Sequence, residues 1–395
     1  MAVRRLVVHV GTAKTGSTSI QDALARLGPA LRERGIHVPS AGRRHAASAR
    51  HANLLGSLTG FRHDAARGGW SELAAEIRAS DARAFVISDE ALARARAKHV
   101  AGAIAAIAAL AADCALRVEV VGYVRPQCQY LESFYAQDVK DGWVEKPFGM
   151  YTADAFALRP VAWHPWLNYG RVFAPWRAAF GSERVAVTPF ERSRLPVGLL
   201  GHFLGLLGAG DLAARASGVP ANARAGAKEI EVRRLTALAL RRAGNDPNRV
   251  VGVLRGLSAL LVPDAPFAGL SAERARGLMD RFAAANAAFA RDYGIGAHGV
   301  LFRDPPVDGL VRPNTARWSD LSAVERDAVR EYVMRTAGVD PAPRTGGAGR
   351  RPPAKALPPL ERSGTGLSGA LRWRVAWLLD PALLRRRAER LVGRG

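Results

Sequence analysis

Cysteine is nearly absent. Cys114 and Cys128 are the only two in 395 residues, too few for a disulfide framework and in keeping with a reducing compartment. Long apolar runs are missing as well. The longest low-polarity stretch, residues 101–112, is Ala-rich and far short of the roughly 20 residues that a membrane span requires. Residues 1–10 carry Arg4, Arg5 and an apolar run that stops at Gly11, which is too short for the core of a secretion leader. The expected location is therefore the cytoplasm. Acidic residues are scarce, 35 Asp+Glu against 57 Lys+Arg, for a net charge of +22. Lysine is scarce too, so the excess is mostly arginine in a chain rich in Ala and Gly, as GC-rich coding produces. Such a balance suits nucleic acid, an anionic lipid surface, or a densely anionic small ligand or polymer. What is present is globular in character: 48% hydrophobic and 23% charged residues exclude wholesale disorder. The length allows one large α/β domain or two smaller ones.

The first half alternates short β-branched runs with helical patterns, which predicts an α/β fold. It would have three layers and a central parallel sheet of about five strands, P-loop NTPase-like, with a C-terminal helical extension. Strands are expected at residues 6–10, 36–38, 84–88, 116–124 and 184–188. Helices are expected after the first strand with a break at Gly28-Pro29, then at 91–112, 127–140 and 272–293. The expected division is an α/β domain over 1–305, helix-rich from about 190, and a peripheral helical segment over 306–340. A Pro/Gly/Arg-rich linker over 341–370 and a basic amphipathic helical tail over 371–395 follow. Residues 344–395 hold twelve Lys/Arg and three Asp/Glu, so +9 of the +22 lies there and +13 in the rest.

The run Val8-His9-Val10-Gly11-Thr12-Ala13-Lys14-Thr15-Gly16-Ser17-Thr18-Ser19-Ile20 is a strand, a Gly/Thr/Ser-rich turn and a helix start. Such a turn presents backbone N–H groups and the positive end of a helix dipole to an anion. Residues 13–19 are the expected ligands: Ala13, Lys14, Thr15, Gly16, Ser17, Thr18 and Ser19. The nucleotide-triphosphatase pattern is G-x-x-x-x-G-K-[ST]. Gly11 and Gly16 keep its separation, but Ser17 stands where its lysine belongs, and Lys14 precedes the second glycine instead. A second motif, Val120-Val121-Gly122-Tyr123-Val124-Arg125-Pro126, puts an arginine at a strand's C-terminal edge. Ser133 follows eight residues later, about two helical turns on. Arg125 and Ser133 can then converge on one phosphate at the mouth of the sheet.

The order Lys-Thr-Gly-Ser-Thr, followed by strand-Arg-Pro and a helix Ser, resembles the sulfotransferases that use 3′-phosphoadenosine 5′-phosphosulfate (PAPS). Residues 171–191 and 286–302 extend the likeness to bacterial members, over roughly 1–305. The resemblance implies transfer of a sulfuryl group to an acceptor hydroxyl, with a carbohydrate or glycoconjugate as the expected acceptor class. Residues 13–19 would take the 5′-phosphosulfate, and Arg125 with Ser133 the 3′-phosphate. The family's Arg-Lys-Gly loop has only an incomplete counterpart here, Arg224-Ala225-Gly226-Ala227-Lys228, which makes Arg224 and Lys228 further candidates.

In-line transfer needs charge stabilisation on the leaving phosphate, assigned to Lys14, and a base for the acceptor hydroxyl. The resemblance implies a His or a Glu as that base. His51 and Glu90 are the candidates, Glu90 slightly ahead because it sits at a strand's C-terminal end. No metal is expected: His45, His51 and His63 are too loosely spaced to be good ligands. Cys128 is read as a packed helix residue. The acceptor pocket is expected in variable loops at 40–80 and 141–170. The tail carries Trp373, Trp377, Arg385, Arg386, Arg387 and Arg390. It suits a polyanionic acceptor or the inner membrane face. Nucleic acid is not an expected partner. Two alternatives remain. One is a P-loop kinase or NTPase using Mg-ATP, with Asp89-Glu90 ending an acidic strand. The other is a non-catalytic polyanion-binding protein.

Overall fold

The computed structural model describes residues 3–343, apart from 61–62, 94, 158–164, 217–223, 297–298 and 304–312. The chain divides into two compact units, Met1–Pro343 and Arg344–Gly395. The second unit, with most of the expected linker and all of the tail, lies outside the described residues.

Five apolar runs form one all-parallel sheet, β1 (Arg4–His9), β2 (Ile36–His37), β3 (Ala84–Ser88), β4 (Leu116–Val124) and β5 (Val185–Pro189). Their order is β2-β3-β1-β4-β5. Every residue of β3 and the last four of β1 are buried, as expected of strands covered on both faces. β1 begins two residues earlier than its apolar run. The Arg4 guanidinium earns that extension by donating to the carbonyls of Ile77, Ser80 and Ala82 at 2.7–3.2 Å.

Alternation sends Leu6, Val8 and Val10 to one face and Val7 and His9 to the other. The second face is covered by α1 (Ser17–Arg26) and α2 (Gly28–Arg32), with Pro29 in the first turn of α2. Residues 40–80, expected as loops, instead contain α3 (Ala52–Thr59) and α4 (Trp70–Arg78). The helix expected over 91–112 is shortened to α5 (Ala97–Asp113). Asp89 Oδ1 accepts the Ala91 N–H at 3.1 Å, which winds Glu90–Ala93 into a 3-10 turn. α6 (Gln127–Lys140) spans its expected residues, and α7 (Phe148–Ala157) occupies the second region expected as loop. α8 (Tyr169–Phe180) packs with α5 on the first face, and α9 (Gly198–Leu206) joins α1 on the second. Beyond the sheet lie α10 (Ala227–Arg242), α11 (Pro247–Arg255), α12 (Ala272–Asp292) and α13 (Ala323–Ala337). α12 shares an apolar cluster with α6, and α13 packs with α10 and α11.

Gly122, on interior strand β4, is a point where this packing admits no side chain. A Cβ there would lie 2.5 Å from two ring atoms of Phe173 and 3.3 Å from the Val10 carbonyl oxygen. Gly122→Ala should therefore destabilise the fold by about 3 kcal/mol, the upper end of typical overpacking costs. The check is a lowered urea midpoint at unchanged m-value.

Because every strand is parallel, the turns after β1, β3 and β4 emerge at one edge. Register pairs His9 with both Ser88 and Val121. The edge therefore gathers Gly11–Gly16, Asp89-Glu90 and Arg125-Pro126.

Candidate functional site

The loop after β1 is fixed from below. Val10 N–H donates to Val121 O at 2.9 Å, Thr12 Oγ1 to Tyr123 O at 2.5 Å, and Thr15 Oγ1 to Thr12 O at 2.6 Å. Ala13 is buried among the side chains of α6 and α12. Lys14 and Gly16 both adopt left-handed backbone, φ 69° and 80°, and Lys14 pays a steric cost that Gly16 avoids. Alternating handedness of this kind turns successive N–H groups toward a common concavity. α1 then starts with Gly16 as a cap that supplies no side-chain bond, leaving first-turn N–H groups open to an anion. Ser17 Oγ is buried without a partner, and a Cβ on Gly11 would collide with it. Thr18 is exposed and Ser19 half-buried.

Arg125 is buried at the end of β4. Its Nη1 donates to Lys14 O at 3.1 Å and its Nε to Gln129 Oε1 at 3.1 Å, with the Phe190 ring centroid 5.9 Å from the guanidinium carbon. Tyr169 OH donates to the Arg125 carbonyl. Burial, helped by the nearby charge of Arg224, pulls Arg125 down to about 10. Lys14 Nζ donates to Gln137 Oε1 at 3.1 Å, and Gln137 Nε2 passes the chain on to Asp141 Oδ1 at 3.0 Å. Burial lowers the Lys14 pKa, and Lys140 and Arg125 act in the same direction while Glu90 and Asp141 oppose them. Gln129, Ser133 and Gln137 are spaced i, i+4, i+8 on α6, one stripe of the helix. Gln129 meets Arg125 and Gln137 meets Lys14, so half-buried Ser133 lies on the stripe between the two cations. Gln129, Gln137, Lys140 and Asp141 were not singled out by motif. For Gln129 and Gln137, the i±4 positions around Ser133 were the available signal.

The two candidates from the incomplete loop separate. Arg224 is exposed and electrostatically coupled to Arg125. Lys228 goes elsewhere: its Nζ donates to both carboxylate oxygens of Glu325, at 3.1 and 3.2 Å. Its backbone N–H donates to Asp264. Those bonds give Lys228 a structural task, holding α10 to α13, in place of the expected phosphate contact.

The two candidate bases also separate. His51 is 1% exposed. Its Nε2–H donates to Pro39 O at 3.0 Å, and its Nδ1 accepts the Ser88 N–H at 3.1 Å. Burial holds its pKa down to about 4. Both ring nitrogens are spent on backbone, so the imidazole has no free atom for an acceptor hydroxyl. Glu90 opens the 3-10 turn after β3, partly exposed, with Arg50 Nη2 at 3.7 Å from its Oε1, and its charge reaches Lys14. Asp89 beside it is fully buried, accepts from Arg50 Nε at 3.2 Å and has its pKa raised by burial. His9 Nδ1 lies 2.8 Å from Ser88 Oγ, which also accepts from Gln21 at 3.2 Å. This buried network anchors the end of β3 below the site. Cys128 is buried, its thiol pushed up to about 12.

Among the described residues, no group of three or more His, Cys, Asp or Glu is placed to hold a metal ion. Nor is any described helix long and apolar enough to cross a membrane. The arrangement fits an elongated ligand with two anionic ends. One end would lie at the Lys14 loop with its open N–H groups and orphaned Ser17 hydroxyl, the other at Arg125, Ser133 and Arg224.

Fold and site together define an α/β protein with a five-stranded all-parallel sheet, one edge of which gathers a loop lysine, a strand-end arginine and a helix N-terminus. No protein-family model matches the chain, and no curated protein does. Among solved structures, a sulfotransferase from Alicyclobacillus acidocaldarius is similar at 17% identity and a TM-score of 0.36, covering 60% of this chain and 91% of that one. Likeness at that level assigns no residue and no activity, and the functional reading rests on the geometry above.

Proposed function

We propose that the chain is a sulfotransferase that uses 3′-phosphoadenosine 5′-phosphosulfate and a hydroxyl acceptor. The observation that carries this reading is the pairing of Lys14 and Arg125. One left-handed loop lysine and one strand-end arginine are joined through the Lys14 carbonyl and bracket Ser133 on a single stripe of α6. A bound PAPS molecule would supply an activated sulfuryl group on a bisphosphorylated adenosine. Lys14 and the N–H groups of residues 15–19 would hold the 5′ end and neutralise charge on its leaving oxygen. Arg125, Ser133 and Arg224 would hold the 3′-phosphate. Glu90, facing Lys14 from the end of β3, would take the acceptor's proton. A carbohydrate acceptor follows from the family resemblance, and the basic, tryptophan-bearing tail sequence suits an anionic acceptor or membrane face.

A kinase or NTPase reading would have Asp89 or Glu90 organise Mg²⁺, but it leaves the lysine ahead of the second glycine misplaced and gives the Arg125–Ser133 pair no role. The carboxylate beside the loop lysine favours an enzyme over a passive polyanion binder.

Thermal unfolding with added ligand tests the reading. Adenosine 3′,5′-bisphosphate at 100 times its Kd should stabilise the protein by about 2.7 kcal/mol, a rise of several degrees. Arg125→Ala should lose most of that rise. Greater stabilisation by Mg-ADP would overturn the assignment.

A further inference from the structure

One carboxylate at the Arg125 end of the site has no place in the chemistry above. Glu132 precedes Ser133 on α6, and its Oε1 accepts two backbone N–H groups, from Gly269 and Leu270, each at 2.9 Å. That contact pins a short extended segment. Phe267 N–H donates to Ala225 O at 2.9 Å, Ala227 N–H to Ala265 O at 3.2 Å, and Gly226 bridges to Pro266. The pinned segment thus carries the stretch from which Arg224 projects. The same carboxylate lies within the fields of Arg125 and Arg224. These two guanidiniums repel each other, and Glu132 opposes that repulsion on Arg125.

We propose that Glu132 is the resident counter-ion of the Arg125–Arg224 pair, and that it takes up a proton when a phosphate dianion binds there. The inference rests on the bisphosphate reading of the site and adds a linkage to it. Without ligand, Arg125 and Arg224 both act on this one carboxylate through space, and neither lies within ion-pair distance of it. With a dianion present, three negative charges face two positive ones beside a carboxylate that burial already penalises. Placing one proton on Glu132 relieves that excess. Both N–H bonds survive the change, because Oε1 accepts them whether or not Oε2 carries the proton. Burial already favours the protonated acid: it raises the Glu132 pKa, outweighing both N–H donors and both arginines. The groups facing it are Arg125 from the end of β4, Arg224 from the pinned stretch, the N–H groups of Gly269 and Leu270, and Cys128 from its own helix. Cys128 stays a neutral thiol across the working range, with its pKa near 12.

The sign follows directly. A group that gains a proton on binding strengthens binding at low pH and weakens it as pH rises past its free-state pKa. Glu132→Gln keeps the acceptor oxygen and is neutral at every pH, so it mimics the protonated form. Affinity for adenosine 3′,5′-bisphosphate should be measured calorimetrically for wild type and Glu132→Gln from pH 5.5 to 8, in buffers of different ionisation heat. The ligand's own titration and that of Lys14 contribute equally to both proteins and cancel in the comparison. The two Kd values should converge toward the low-pH end, and as pH rises the variant should bind progressively tighter, by up to about tenfold for each unit the bound-state pKa is raised. Wild type should also take up more protons on binding than the variant. Glu132→Leu, which removes the acceptor, should bind more weakly than wild type at every pH. A flat affinity ratio, or equal proton uptake by wild type and Glu132→Gln, overturns the linkage while leaving the bisphosphate site intact. Failure of wild type to bind the bisphosphate at all overturns both.

Discussion

Glu90→Gln is expected to lower transfer turnover by about 10²- to 10⁴-fold, the range a positioned general base contributes. Affinity for adenosine 3′,5′-bisphosphate should change by no more than about twofold, because a proton acceptor acts on the hydroxyl and not on the phosphates. Glu90 stands at the C-terminal end of β3, where its charge reaches Lys14. His51→Ala should behave in the opposite way. His51 ties Ser88 N–H to the Pro39 carbonyl, so its removal should lower the melting temperature. Turnover per folded molecule should remain within a few-fold of wild type. The measurements are steady-state transfer, bisphosphate titration and thermal unfolding on each variant. Normal turnover in Glu90→Gln would remove the base assignment, and an inactive but stable His51→Ala would return it to the histidine.

Lys14→Ala carries the second large effect. Deleting one preorganised charge donor aimed at a leaving oxygen costs about 10²- to 10³-fold in turnover. Bisphosphate affinity should fall less, because the N–H groups of the loop and Arg125 remain. The ammonium is held by Gln137, itself held by Asp141, so the lysine is aimed before any ligand arrives. Comparable losses of turnover and affinity would mean that Lys14 binds ground state and transition state alike.

The sheet was readable because its strands are continuous apolar runs, and such runs have few other uses in a chain of this composition. α6 was readable for a related reason: Pro126 marks its start and Gly142 follows its last turn. The 91–112 helix misled because Ala-rich sequence has high helix propensity throughout. The turn at Glu90–Ala93 is imposed by Asp89, whose orientation depends on Arg50, 39 residues earlier. The same limit governed the site. Glycine and lysine spacing exposed the loop, since backbone turns impose local requirements. Lys228 had suitable spacing, but its partner Glu325 lies 97 residues away. His51 read as a candidate base, and its bonds to Ser88 N–H and Pro39 O become visible only with β3 laid beside it. Gln137 and Glu132 belong to no motif; an amide or a buried carboxylate acquires meaning only from what it touches.

The bond from Arg125 to the Lys14 carbonyl has one more consequence. It joins the loop after β1 to the end of β4 through a single guanidinium, so a shift of one is felt by the other. If the proposed bisphosphate binds there, its two anionic groups would be gauged against that linked pair, as by callipers. A compound with only one phosphate meets one jaw, and a compound with two at the wrong spacing meets neither well. Selectivity for a doubly phosphorylated adenosine over ordinary nucleotides would then reside in the distance between the jaws and not in the grip of either.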